Sequence, residues 1–204
     1  MPIMKRIAGA AALGAALLLG LPSAEAGYVV TLEQVGGDVV ATGSGPLDLR
    51  GLSSLGLDAD QAGMLPLFGT IITGPAPPNI TPTTAYAGIS GPTSFGSGGV
   101  LLFADSGSGD LVGVHGNTGI LVVPDGYVSG TPLSDTATYT GETFASLGLT
   151  PGSYVYSFGS GSDADTFTIT INLGAVSVPE PASLALLGAA VVGFGAVYRR
   201  RRAA

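Results

Sequence analysis

The clearest pattern in the chain is Phe167-Thr168-Ile169-Thr170-Ile171-Asn172, apolar at odd positions and polar at even ones. A period of two with one wet face is that of a half-buried strand in an antiparallel sheet. Just upstream, Ser153-Tyr154-Val155-Tyr156-Ser157-Phe158 sets three aromatics on one strand face, after a turn at Thr150-Pro151-Gly152 and before a polar loop over 159–165. At the other end, 28–35 and 38–43 are β-branched runs flanking Gly36-Gly37, which predicts a hairpin because short loops need positive φ. Further strands are expected within 67–73, 99–104, 110–114, 120–123 and 136–140, each bounded by Gly, Pro, Asp or Ser. The stretch 51–63 holds Leu52, Leu55 and Leu57 without a clean period and is read as irregular, with a short helical turn. Residues 74–84 carry Pro75, Pro77, Pro78 and Pro82, which excludes a helix or a central strand and predicts a long surface loop. A single helical turn fits 142–149, and 105–109 reads as a connecting loop. Eight or so short strands predict an all-β fold, an antiparallel β-sandwich of Ig-like or jelly-roll-like kind.

Two runs stand outside this alternation. Residues 1–26 have a basic start at Lys5-Arg6, an apolar run over 7–21 and an A-x-A site at Ala24-Glu25-Ala26. These are the three parts of a secretory signal peptide, with signal peptidase cutting after Ala26 to leave Gly27 first. At the far end, 182–198 is uncharged and is followed by Arg199, Arg200, Arg201 and Arg202. A helix of this length reaches about 25 Å, enough to cross a bilayer core. The arginines would hold the C-terminus on the cytoplasmic side, with the domain on the other. The chain thus divides into a signal peptide (1–26), a secreted acidic domain (27–177) and a C-terminal signal (178–204). The last comprises a motif at 178–183, a transmembrane helix at 182–198 and an Arg cluster at 199–202.

Charge sharpens this division. Only 10% of residues are charged, and there are 34 Gly and no Cys. Between the two terminal segments, twelve acids face one base, Arg50, for a net −11. Such a surface repels phosphate backbones, so nucleic-acid binding is not expected. The absence of Cys excludes disulfides and thiolate chemistry.

Candidate chemistry within the domain is sparse, and neither a cofactor nor an enzymatic activity is expected. His115 is the one histidine, and a hydrolase would need it as general base beside a nucleophile and an orienting acid. Its neighbours Val114, Gly116 and Asn117 match no nucleophile motif, and a solvated histidine at a strand end is the alternative. Asp105, Asp110, Asp163 and Asp165 lie in Gly/Ser-rich stretches. Alternating oxygen ligands such as Asp163 and Asp165 could hold Ca²⁺, but the spacing is not that of an EF-hand and no Glu closes it. Tyr154, Tyr156 and Phe158 are either sandwich core or an aromatic face for a sugar.

Val178-Pro179-Glu180-Pro181-Ala182-Ser183, the apolar run and the four arginines together closely resemble the PEP-CTERM sorting signal of Gram-negative bacteria. The resemblance covers 178–202 in order, spacing and position. It implies that Val178, Pro179, Glu180 and Pro181 are read by exosortase, an integral-membrane, Cys-dependent transpeptidase-like enzyme, much as sortase reads LPxTG. Two prolines favour the extended backbone that suits such a cleft. The segment 144–154 with the strand over 165–171 also resembles one common in domains bearing this tail. Proteins of this kind are exported and associated with exopolysaccharide, biofilm or floc. The resemblance therefore implies inner-membrane residence before processing, and the cell surface or matrix afterwards. A permanent membrane anchor and a GPI signal are the rival readings of the tail; the terminal arginines argue against the second. With a bacterial tail, the Asn79-Ile80-Thr81 glycosylation sequon is read as chance.

Overall fold

The computed structural model describes residues 27–172. Thirteen strands form two sheets. They are β1 (Tyr28–Val35), β2 (Asp38–Gly45), β3 (Ser53–Asp60), β4 (Gly63–Leu65), β5 (Thr70–Thr73), β6 (Thr81–Ala87) and β7 (Leu102–Phe103), followed by β8 (Ser106–Gly109), β9 (Val112–His115), β10 (Ile120–Pro124), β11 (Leu133–Tyr139), β12 (Gly152–Phe158) and β13 (Asp165–Ile171). The first sheet runs β12-β13-β1-β2-β11-β8 and the second β3-β6-β10-β9-β5-β4-β7. One core fills the space between them, with Val30, Leu32, Val39, Ala41, Phe167 and Ile169 from the first sheet meeting Ile71, Val112, Val114, Leu121 and Val123 from the second. The all-β sandwich expected from the alternation is what the chain forms.

The predicted hairpin is present, with β1 and β2 paired antiparallel from Val29↔Ser44 to Val35↔Asp38. The alternation over 167–172 also holds: Phe167, Ile169 and Ile171 are buried while Thr166, Thr168 and Thr170 are half-exposed. One pairing departs from the expected antiparallel order. β1 pairs β13 in parallel, from Tyr28↔Phe167 to Leu32↔Ile171. Period two cannot distinguish parallel from antiparallel neighbours, since side chains alternate in both.

Four other segments differ from expectation. The stretch 51–63 is chiefly strand β3, preceded by a 3-10 turn at Leu49–Gly51 capped by Asp48. It shows no period because β3 is an edge strand exposed on both sides, with a register shift between Ser54 and Gly56. The proline-rich segment gives way to β6 at Thr81, inside the sheet. Pro82 is tolerated there because β10 pairs no further than Thr83, so no N–H is needed on that side. Its carbonyl accepts from the Asp125 N–H at 3.2 Å. Within 67–73 the chain makes a 3-10 turn at Pro66–Phe68, closed by Gly69 at φ 60°, before β5 begins. The 105–109 connection is itself strand β8, paired with β11, and carries almost no side-chain signal. The turn expected within 142–149 forms, with Leu147 N–H donating to the Thr143 carbonyl at 3.0 Å. Thr143 and Ser146 cap it reciprocally: each backbone N–H donates to the other's hydroxyl, at 2.7 and 3.0 Å.

A polar pair is sealed inside the core. Tyr28 OH donates to Asp135 Oδ2, while Oδ1 has no hydrogen-bond partner among the described residues. Gly43 makes room for them, since a Cβ there would collide with both the Tyr28 hydroxyl and the Asp135 carboxylate. Burial pushes the Asp135 carboxyl up to about 6, against the opposing pull of the Tyr28 hydrogen bond. Tyr139 OH is also buried without a partner among the described residues.

Two outcomes test this core. The folded state holds the Asp135 proton more tightly than the unfolded chain, whose value is near 3.8, so its contribution to stability falls as pH rises through that window. The wild-type minus D135N difference in unfolding free energy should therefore be more favourable at about pH 4 than at about pH 7, by about 2 kcal/mol. Denaturant melts at several pH values check this, and a pH-independent difference contradicts it. Tyr139→Phe removes an unpaired buried hydroxyl and should raise stability by about 1 kcal/mol in the same melts.

Candidate functional site

The inner face of the seven-stranded sheet is core, but its outer face is not simply wet. Ile72, Leu111 and Val122 are buried there as a second apolar cluster, with Ile120 packed against it. Both faces of β5 and β10 are thus apolar, which is why 120–123 reads as a continuous run rather than an alternation. Beside this cluster lies a groove of about 290 Å³, lined by Asp60, Gln61, Thr70, Ile72, Ile80, Leu101, Phe103 and His115 among others.

Strand register builds the groove. β5 and β9 pair Thr70 with His115, and Thr70 Oγ1 lies 3.3 Å from His115 Nδ1. β3 and β6 pair Asp58 with Thr83 and Asp60 with Thr81, so both acids share one face. Thr83 Oγ1 donates to Asp60 Oδ2 at 3.0 Å. β4 pairs Gly63 with Phe103, and a Cβ at Gly63 would press on the Phe103 ring. Burial raises the Asp60 carboxyl above the ordinary carboxylate range, against the Thr83 bond. Burial lowers the His115 imidazole, while Asp60 and then Asp58 act the other way. His115 is therefore neutral at neutral pH, and one ring nitrogen is engaged by Thr70.

Of the residues singled out in the sequence, only His115 lies in this groove. Tyr156 and Phe158 are buried in the core, and Tyr156 meets Phe167 edge-on at 6.3 Å. Tyr154 is half-buried, its hydroxyl donating to the Thr150 carbonyl at 2.8 Å. That stripe is core rather than an aromatic sugar face. Asp105 and Asp110 accept from the backbone N–H groups of Thr140 and Ser134, at 2.7 and 2.9 Å. Asp163 pairs with Arg50 at 3.1 Å, and Asp165 accepts from the N–H of Asp48 at 2.7 Å. Arg50 also bonds Asp48, so this acidic corner ties the turn at Leu49–Gly51 to a 3-10 turn at Gly161–Asp163. Among the described residues, no three acidic or histidine side chains are grouped to hold a metal ion. Gly27 is buried against Thr166, where a Cβ would collide with the Thr166 carbonyl. Ala24, Ala26, Val178, Pro179, Glu180, Pro181 and Arg199, Arg200, Arg201 and Arg202 lie outside the described residues, as do the segments expected to form a signal peptide (1–26) and a transmembrane helix (182–198).

The groove residues missed in the sequence are Asp60, Gln61, Thr70 and Phe103. Asp58-Ala59-Asp60 carries a usable sign, two acids at strand spacing, but only once 53–60 is known to be a strand.

Residues 177–202 match the family model of the PEP-CTERM protein-sorting motif. The chain therefore carries this motif, the recognition signal for exosortase, and is an exported protein. No curated protein and no solved structure matches the chain.

The single imidazole makes the electrostatics of the groove measurable. His115 should titrate by NMR below its ordinary value of 6.5. D60N removes the Asp60 charge, the larger of the two carboxylate influences that favour the imidazolium, and should lower the midpoint further. A midpoint at or above the ordinary value contradicts the burial described here.

Proposed function

We propose that this protein is an exported, non-enzymatic component of the cell surface or extracellular matrix, delivered and cut by exosortase and associated with exopolysaccharide. The observation that carries this is the sorting motif over 177–202 behind an acidic β-sandwich. The parallel pairing of β1 and β13 supports it. The strand after the leader starts at one end of the sheet, and the strand before the tail finishes at the other. Only a few residues then separate Asn172 from Val178, so the motif follows closely on the folded domain.

The non-enzymatic reading rests on the surroundings of His115. Its side chain bonds Thr70 alone among the described residues, and Asp60 bonds Thr83 rather than the imidazole. Around His115, the described residues therefore do not place a hydroxyl, a base and an orienting acid in one hydrogen-bonded series. Removal of both terminal signals would take six of the seven basic residues, leaving Arg50 in an acidic body. Repulsion between such bodies keeps them dispersed in a hydrated matrix.

A second reading, a carbohydrate-binding module for exopolysaccharide, is favoured by the groove and its exposed Phe103. A permanently anchored periplasmic or surface domain is the alternative fate of the same tail.

Mass spectrometry of the protein from cells with and without exosortase decides the processing step. The exosortase-positive cells should yield a C-terminus upstream of Arg199, and the exosortase-negative cells the intact chain to Ala204. An intact Ala204 terminus in both overturns the proposal.

A further inference from the structure

The two walls of the groove differ in chemistry. One exposes Ile80, Leu101 and Phe103, at 64%, 48% and 47% of their surface. The other presents Asp60, Gln61, Thr70 and His115. Asp58 lies on the same strand face as Asp60. No lysine or arginine lines the groove, and Arg50, the one such residue among the described residues, is engaged by Asp48 and Asp163. Asp60 Oδ2 is occupied by Thr83, while Oδ1 has no donor among the described residues. A carboxylate oxygen without a cation thus borders an apolar wall with a row of hydroxyl, amide and imidazole groups at hand.

We propose that this groove binds an amino-sugar unit bearing a free ammonium group, within an oligosaccharide. The proposal deepens the matrix-protein reading and rests on it for the polymer. Three complementarities identify the ligand. The ammonium pairs with Asp60 Oδ1 in the field of Asp58, a charge-assisted bond. The apolar face of the sugar ring covers Phe103 and Leu101, and the nearby cation is attracted to the aromatic face. Ring hydroxyls meet Gln61 and the imidazole nitrogen that Thr70 leaves unused. The volume, about 290 Å³, lies at the small end of small-molecule pockets and suits a single ring with its linkages. A uronic acid would set its carboxylate against Asp58 and Asp60. An N-acetylated sugar would place a neutral amide where the site offers an anion. A lysine side chain carries the same ammonium but leaves the hydroxyl-binding groups without partners.

The test is calorimetric titration of the full chain, purified in detergent, with short β-linked glucosamine oligomers, their N-acetylated counterparts, galacturonate oligomers and oligolysine. Saturable binding of the glucosamine oligomers is expected, about tenfold or more tighter than that of the other three. D60N and F103A should each weaken it about tenfold, while V128A, at an exposed site outside the groove lining, leaves it unchanged. D58N, which alters an exposed acid, should weaken it less, and added salt should weaken it throughout. These two measurements serve should D60N or F103A fail to fold. Absence of glucosamine binding, equal binding of the acetylated oligomers or of oligolysine, or salt-independent binding would each overturn the proposal. Neutral or acidic sugars bound in an F103A-sensitive manner would overturn it while leaving the matrix reading standing. Failure of exosortase processing would remove the delivery reading without affecting these affinities.

Discussion

The structure depends most on the seam between its first and last strands. β1 and β13 pair in parallel, and Tyr28 at the start of that seam reaches three parts of the fold at once. Its ring stacks on Phe167 at 5.4 Å, its hydroxyl donates to Asp135 on β11, and Gly43 on β2 gives it room. Closing the seam joins residues far apart in the chain, which is entropically costly and slow, and a large buried aromatic cluster offsets that cost. The buried carboxylate works against stability at neutral pH. Its one satisfied oxygen is held by the residue that begins the seam, so a polar contact fixes how the first strand enters the core.

This seam explains which parts of the fold were legible in the amino-acid sequence. Val30 and Leu32, and Phe167, Ile169 and Ile171, alternate because each strand has one face in the core and one in water. The same pattern cannot say that they lie side by side in parallel. Legibility failed where a strand carried no hydrophobic signal: β3 is exposed on both faces and β8 is Ser and Gly, whereas β5 and β10, buried on both faces, were still legible as short apolar runs within 67–73 and 120–123. Pro82 hid the start of β6 because a central strand normally excludes proline, and only the short reach of β10 permits it.

The candidate site was less legible for a related reason. It is assembled from strands that one-dimensional spacing cannot bring together: Asp60 from β3, Thr70 from β5, Phe103 from β7 and His115 from β9. The aromatic stripe that attracted attention in the sequence, Tyr154, Tyr156 and Phe158, serves the core. The acids of the Gly-rich loops hold backbone N–H groups and Arg50. By contrast, the sorting motif was fully legible, because it is carried by one contiguous run of residues and not by strands brought together in a fold.

The described sandwich is complete by Asn172, ahead of the motif over 177–202, so the proposed function treats address and cargo as separable. Grafting residues 178–204 onto an unrelated exported β-domain tests that separation most directly, with exosortase-dependent trimming read by mass spectrometry. The account predicts a trimmed C-terminus in exosortase-positive cells and an intact one without the enzyme. A graft left intact in cells that trim the native protein would show that the sandwich itself is needed, and would contradict the account.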